Sequence, residues 1–339
     1  MDLVLAGCDG VPADATAVAM NLTATRPTSG THLTVWPAGQ PQPDTAVLNL
    51  KPRTTAASLV VAGLGRGGAT SVRNLAGDVD LVADVVGYWS RSGGARYHPV
   101  QPARLLDTRT AAGGARRIAD QERQELAVRG RGGVPAGATA VVLNVTAVGP
   151  SRAGYVTITP SGVTGSTSSV NYAAGETVPN RVVTGLSAGG AIDVFAAGST
   201  HVLVDVVGWY GPGAGGSAYT ALTPSRLVDS RDGTGTPRGP LGPQATRDVQ
   251  VTGRASVPDG ATAVVLSLAG ASPTASQTFI AAFPDGTALP GTSDLNLVRG
   301  QTRSNLAVVP LSDAGRLSLY NEGGRTHVIA DVLGYYAGG

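Results

Sequence analysis

Apolar positions along this chain fall in short runs rich in Val, Leu, Ile and Thr, and Gly, Pro, Ser or Asn closes nearly every run. Stretches such as TAVVLNVTAV (139–148), GYVTITP (154–160), AIDVFAA (191–197) and THVLVDVVGWY (200–210) are β-branched and lack the 3.6-residue periodicity of an amphipathic helix. Together with QELAVRG (124–130), SSVNY (168–172) and NRVVTGLS (180–187), they predict roughly seven or eight strands in about 115 residues, the spacing of an antiparallel β-sandwich. Several runs are apolar at successive rather than alternating positions. The central strands are therefore expected to be covered on both faces, or to pack on a neighbouring module.

The pattern recurs three times, about 123 residues apart. GVPADATAVAMNLTA from Gly10 returns as GVPAGATAVVLNVTA from Gly133 and as SVPDGATAVVLSLAG from Ser256. Each copy closes on a matching phrase: DLVADVVGYW (80–89), HVLVDVVGWY (201–210) and HVIADVLGYY (327–336). A period too long for a solenoid unit means tandem domains, each expected to bury its own core. The expected fold is all-β: three tandem antiparallel β-sandwich modules, immunoglobulin-like or jelly-roll-like, at 1–90, 96–211 and 218–339. Small-residue runs at 90–95 and 211–217 read as linkers. A hexapeptide opens the second and third modules, at Arg104–Arg109 and Arg226–Arg231, and has no counterpart in the first. The favoured expectation is that the natural chain continues N-terminally. Otherwise the first module is short by one element and exposes an edge through which the chain self-associates.

Composition narrows the function. Lys and Arg number 25 against 23 Asp and Glu, and the arginines are scattered, so neither nucleic acid nor an anionic membrane is an expected partner. No run of 18 apolar residues predicts membrane insertion. The single cysteine, Cys8, excludes an intramolecular disulfide and a cysteine-based metal site. Leu5-Ala6-Gly7-Cys8 has the look of a lipobox but lacks a basic start and an apolar lead, and an ordinary loop position is expected. No cofactor or metal is expected.

The combination of RLLDTR, GVPAGATAVVLNVTA, a mid-module Asn-Tyr and a terminal HVLVDVVGWY resembles the RLLDTR-type tandem repeat modules of actinobacterial secreted and cell-surface proteins. The resemblance spans essentially the whole chain. It implies an extracellular or cell-surface accessory module without catalysis, and it brings no ligand or site residues with it. Two departures stand out: the first module lacks the opening motif, and it has Asp80 where the others have His201 and His327.

The recurrent acids Asp84, Asp205 and Asp331 lie inside apolar strands, where an ionised carboxylate must be paired. Their expected partners are the motif arginines, either Arg104 and Arg226 or Arg109 and Arg231. With Asp107 and Asp229 these form a structural latch between opening motif and closing strand. Asp84, with no motif beside it, should have a different partner. Asn171 and Asn296 match Asn49, and Asn180 matches Asn305 and Ser58. All are expected to hold turns, with Asn171 and Asn296 also candidates for glycan contact. The sequons at Asn21 and Asn144 lie in strands and read as coincidental. His201 and Asp205 share a strand face but lie about 13 Å apart at about 3.3 Å per residue, too far for a dyad. Asp229 and Asp232 are weak ground for calcium.

The aromatic pairs ending the modules, Tyr88-Trp89, Trp209-Tyr210 and Tyr335-Tyr336, should each turn one ring inward. Trp89, Trp209 and Tyr336 are the candidates for stacking on a sugar. Every polar candidate recurs at a repeat position and no singular acid, base or nucleophile stands out, so an enzyme is not expected. The expected function is binding of cell-envelope or extracellular polysaccharide (a cell-wall glycan), or an adhesive spacer. The alternative is a structural subunit of a surface filament or phage-tail-like fibre, assembled by module stacking or strand complementation.

Overall fold

In the computed structural model, which describes residues 1–110, 116–165 and 167–338, regular structure is strand throughout except for a short 3-10 turn at Arg66–Gly68. Part of the polar stretch after Arg109 lies outside the described residues. The second module shows the architecture in full. Its strands, in chain order, are Arg96–Asp107, Glu122–Ala127, Ala140–Val148, Gly154–Pro160, Val170–Tyr172, Thr177–Gly185, Ala191–Ala197 and His201–Gly211. The first pairs with the eighth, the second with the seventh, the third with the sixth and the fourth with the fifth. This is one long antiparallel hairpin rolled into two four-stranded sheets, the jelly-roll topology rather than the immunoglobulin one.

The third module repeats it. Ser217–Asp229 pairs with His327–Gly338, Ala245–Gln250 with Arg316–Asn321, Ala261–Ala271 with Thr302–Pro310, and Gln277–Pro284 with Leu295–Val298. The first module has three of these four pairs: Asp2–Val4 with Ala69–Asn74, Ala15–Thr25 with Ala56–Gly63, and Thr31–Pro37 with Leu48–Leu50. Its closing strand, Asp80–Ser90, pairs with Ala15–Thr25 on one side only. The opening strands of the other modules extend well upstream of the hexapeptide, which forms only their C-terminal end.

The three sandwiches are not beads on a string. A bridge between Tyr97 and Ser217 fuses the inner sheets of the second and third modules into one eight-stranded sheet. The third strand of each module explains the successive apolar positions. Val141, Leu143 and Val145 point into their own sandwich, while Val142 faces a core shared by all three modules. Ala263 and Val265 of the third module and Ala17 and Ala19 of the first face the same shared core, with Val264, Leu266, Val18 and Met20 pointing the other way. Period-two alternation is present, but both faces are buried.

A ring of polar contacts sets the modules around this axis. Asn21 of the first module donates to the Ser168 carbonyl of the second at 2.5 Å. Asn144 of the second donates to the Ser293 carbonyl of the third at 2.7 Å, and Ser267 of the third returns to the Ala46 carbonyl of the first at 2.8 Å. The ring closes, which gives the chain pseudo-threefold order. Asn180 and Asn305, expected to hold turns, instead reach the side chains of Asn21 and Asn144 in the preceding module. The sequon asparagines are thus buried structural groups.

At the axis an ion pair also breaks the symmetry. Where the first and third modules place Leu59 and Leu306 toward the axis, the second places Arg181, which is fully buried. Its Nε donates to the Leu306 carbonyl at 3.2 Å, its Nη2 to Asp294 at 2.5 Å, and its Nη1 has no partner. Asp294 stands where the second module has Ser169; each side chain accepts a backbone N–H, from Ala282 and Ile158 respectively. Breaking such a pair leaves an uncompensated buried charge, whereas replacing both partners is often neutral or stabilising. Arg181→Leu alone is therefore expected to cost about 3 kcal/mol. Adding Asp294→Ser should restore at least wild-type stability in denaturant unfolding; a double variant no better than the single one would show that the pair is a net stabiliser.

Candidate functional site

In the second module the opening strand is tied to the closing strand by charge. Arg104 grips Asp205 with two bonds, Nε to Oδ1 at 2.7 Å and Nη2 to Oδ2 at 3.0 Å, and its Nη1 lies 3.4 Å from Asp107. Arg109 closes on Asp107 through Nε at 2.9 Å, Nη2 at 2.7 Å and its backbone N–H at 3.0 Å. The third module repeats this with Arg226 on Asp331 and Asp229, and Arg231 on Asp229. Burial pushes the Asp205 and Asp331 carboxyls up, and their arginines pull them back. The Arg109 guanidinium hydrogen bond holds Asp107 down at about 2. His201 bonds Thr108, not Asp205, and Asp229, already paired with two arginines, is spent as a cation ligand.

The first module presents the same strand without its cover. Asp84 occupies the register position of Asp205 and Asp331, opposite Asn21 as Asp205 is opposite Asn144. Among the described residues it has neither a cation nor a hydrogen-bond donor, contrary to the expectation of a substitute partner. Partial burial pushes its pKa up with nothing to offset it. Val82, Val85, Val86 and Tyr88 beside it are 50%, 38%, 40% and 48% exposed. The counterparts of the three valines, Leu203, Val206 and Val207, are buried where an opening strand covers the closing one.

At the axial end of this edge lies a cleft of about 390 Å³, lined by Val86, Gly87, Trp89, Ala140, Tyr210 and Tyr219 among others. The aromatic candidates divide around it. Trp89 is half-buried at the cleft wall, 4.5 Å from the Tyr219 ring. Trp209 stacks face to face on His98 at 3.8 Å. Tyr336 is 1% exposed and hydrogen-bonded through its hydroxyl to Tyr210, so it cannot stack on a sugar. The inward ring of the last pair is Tyr336, while Tyr335 packs against the module's own core. Asn171 and Asn296 each accept from a serine three residues earlier, at 2.8 and 3.1 Å, which holds a short turn. They lie in two neighbouring inter-module clefts of about 330 and 280 Å³, neither of which is lined by the open closing strand.

The motif reading did not reach Tyr97 and Tyr219, near the start of each opening strand. Each hydroxyl donates to a carbonyl of its closing strand, Val207 at 3.2 Å and Leu333 at 3.1 Å. Each ring covers a glycine, Gly208 or Gly334, where a Cβ would lie within 2.4 Å of it. The signal was available: a tyrosine seven residues before the motif arginine in both modules. Arg131 and Arg254 add a clamp on the opening-strand carbonyls of Leu105 and Leu227, and Cys8, exposed in a turn, occupies that position in the first module.

No protein-family model matches the chain, and no curated protein sequence matches it. Among solved structures it is similar to a protein of Sulfolobus turreted icosahedral virus, at 10% identity and a TM-score of 0.22, covering 100% of this chain and 83% of that one. A second similarity, at 10% identity and a TM-score of 0.21, covers 100% of this chain and 82% of a chain described under the triple jelly-roll fold and turret assembly of an archaeal virus. TM-scores at this level carry no argument for a common fold or function.

The same residue type therefore has opposite effects in two modules. Asp205→Ala, which strands Arg104, is expected to cost about 3 kcal/mol in denaturant unfolding. Asp84→Asn should instead raise the melting temperature at pH 7. Because the Asp84 pKa is raised on folding, that gain should fade as pH falls through the raised folded pKa and be absent below about pH 4, where the carboxyl is protonated folded or unfolded. Asp107 has the reverse sign: its depressed pKa contributes stability above about pH 4, lost as pH falls towards 2. Asp107→Asn should flatten that acid limb, and an unchanged limb would place the acid-sensitive contact elsewhere.

Proposed function

We propose that the chain is a non-catalytic structural subunit that joins larger assemblies by accepting a strand at the open edge of its first module. The observation that carries this reading is the bare closing strand Asp80–Ser90. It offers unpaired backbone along one side and apolar side chains that the other modules bury. A long edge with apolar exposure is a template for pairing with another chain unless charge, proline or a bulge blocks it. Asp84 and the outlying Asp80, itself paired with Arg26, supply little such protection, and the irregularity between Val85 and Gly87 has a counterpart between Val206 and Gly208 across which the second module's opening strand still pairs. Supporting the non-catalytic part, the buried motif acids are consumed by arginines in a repeated arrangement, which is what structural ion pairs look like. The resemblance to surface-protein modules supports an extracellular setting.

The glycan-binding reading has weaker support, since Tyr336 is buried and Trp209 is covered by His98. The purified chain is expected to self-associate with rising concentration in light scattering, because a bare apolar edge pairs with its like. Val82→Lys with Val86→Lys should leave a monomer at every concentration. A monomeric wild type retained on insoluble cell wall would replace this reading with the glycan-binding one.

A further inference from the structure

Resting on the open-edge reading, we propose that the acceptor groove of the first module is built for one kind of strand, an extended segment of a partner polypeptide carrying a tyrosine and, seven residues later, an arginine opening an Arg-Leu-x-Asp motif. Three features of the groove define this occupant.

The first is an unfilled ring position. Tyr210, Tyr97, Tyr336, Tyr219 and Trp89 follow one another around the pseudo-threefold axis, with successive ring centres 5.4, 4.3, 5.2 and 4.5 Å apart. In this circle each opening-strand tyrosine sits between the closing-strand aromatic of its own module and that of the next. Tyr97 lies between Tyr210 and Tyr336, and Tyr219 between Tyr336 and Trp89. The circle does not close between Trp89 and Tyr210, which meet only edge-on at 6.5 Å, and there the 390 Å³ cleft opens. The floor matches. Gly208 and Gly334 lie under tyrosine rings, whereas a Cβ on Gly87 would meet no atom within 4 Å. A third ring is what the geometry lacks.

The second is charge. Asp84 holds the register of the two latch carboxylates without a guanidinium. The distance along the strand from Gly87 to Asp84 equals that from Gly208 to Asp205, so a tyrosine and an arginine seven apart reach both ends. The third is apolar surface. Val82, Val85 and Val86 are the positions that an opening strand buries in the other two modules. The middle clamp is missing, because Cys8 replaces Arg131 and Arg254, so the occupant is held by its tyrosine and arginine ends. Edge-to-edge pairing with a second copy would supply neither group.

The test is a synthetic peptide with the sequence of residues 96–109, titrated calorimetrically into the full chain. It is expected to bind saturably at one peptide per chain. Alanine in place of its tyrosine, or of its motif arginine, should weaken binding at least tenfold. Gly87→Leu in the protein fills the slot and should abolish binding; the chain should still fold, since Gly87 has open space and no left-handed backbone, with near-ultraviolet circular dichroism as the check. Binding that survives Gly87→Leu would mean that the peptide has exchanged into another module, and overturns the proposal. So does equal binding of a scrambled peptide, or self-association that the peptide cannot compete away, which would make a second copy the occupant. Self-association without any peptide binding removes this occupant and leaves the open-edge reading standing; absence of both removes the two together.

Discussion

Everything in this molecule depends on three strands that are apolar on both faces. Ala15–Thr25, Ala140–Val148 and Ala261–Ala271 each bury one face in a jelly roll and the other against two sister modules. A strand of that kind cannot face water, so no module can exist in isolation with its axial face bare without exposing Val142, Val207 and Tyr210 or their counterparts. The shared core is therefore a condition of each module's solubility as well as of its position. Hydrogen bonds such as Asn21 to Ser168 and Asn144 to Ser293 then fix register around the axis, because a buried amide left unpaired costs about 1–3 kcal/mol.

The sequence made the strands, the three-fold repetition and the latch arginines legible because each depends on local pattern. GYVTITP and AIDVFAA are strands over the expected residues, and Arg104 and Arg226 reach Asp205 and Asp331. What pattern does not carry is the identity of a partner. Asn180 looks like a turn residue since nothing in NRVVTGLS says that its amide will meet Asn21 of another module. Tyr336 looks like a surface platform for the same reason: alternation says that one of two adjacent rings turns inward but not which face is inward. The axis decides it. The opening strands carry no clear strand pattern in the sequence, because Pro99, Pro102 and Pro224 interrupt it. Pro102 and Pro224 fall where bulges break the ladder, opposite Val206–Gly208 and between Ala221 and Ser225, and Pro99 flanks the first of these breaks.

The candidate site is a departure from repetition rather than a motif: the missing hexapeptide marks it in the sequence, and the structure adds the exposed valines and the uncovered Gly87. Asp84 stands out in the sequence as a recurrent acid without a motif arginine, but that it has no substitute partner among the described residues is visible only in the structure. Gly87 is one more glycine among many until Gly208 and Gly334 are seen beneath tyrosines. The same comparison isolates Arg181 and Asp294, a buried ion pair at a position where the sister modules use leucine.

Joining three jelly rolls in one chain changes what symmetry permits. Three identical subunits around an axis would carry three open edges or none, and an assembly grown from them would branch at every node or not at all. Here, among the described residues, one module leaves its closing strand uncovered while the other two carry an opening strand there, so the body presents one bare edge and two closed flanks. A body with one bare edge has a direction that a symmetric trimer lacks, and in that sense covalent linkage trades symmetry for polarity.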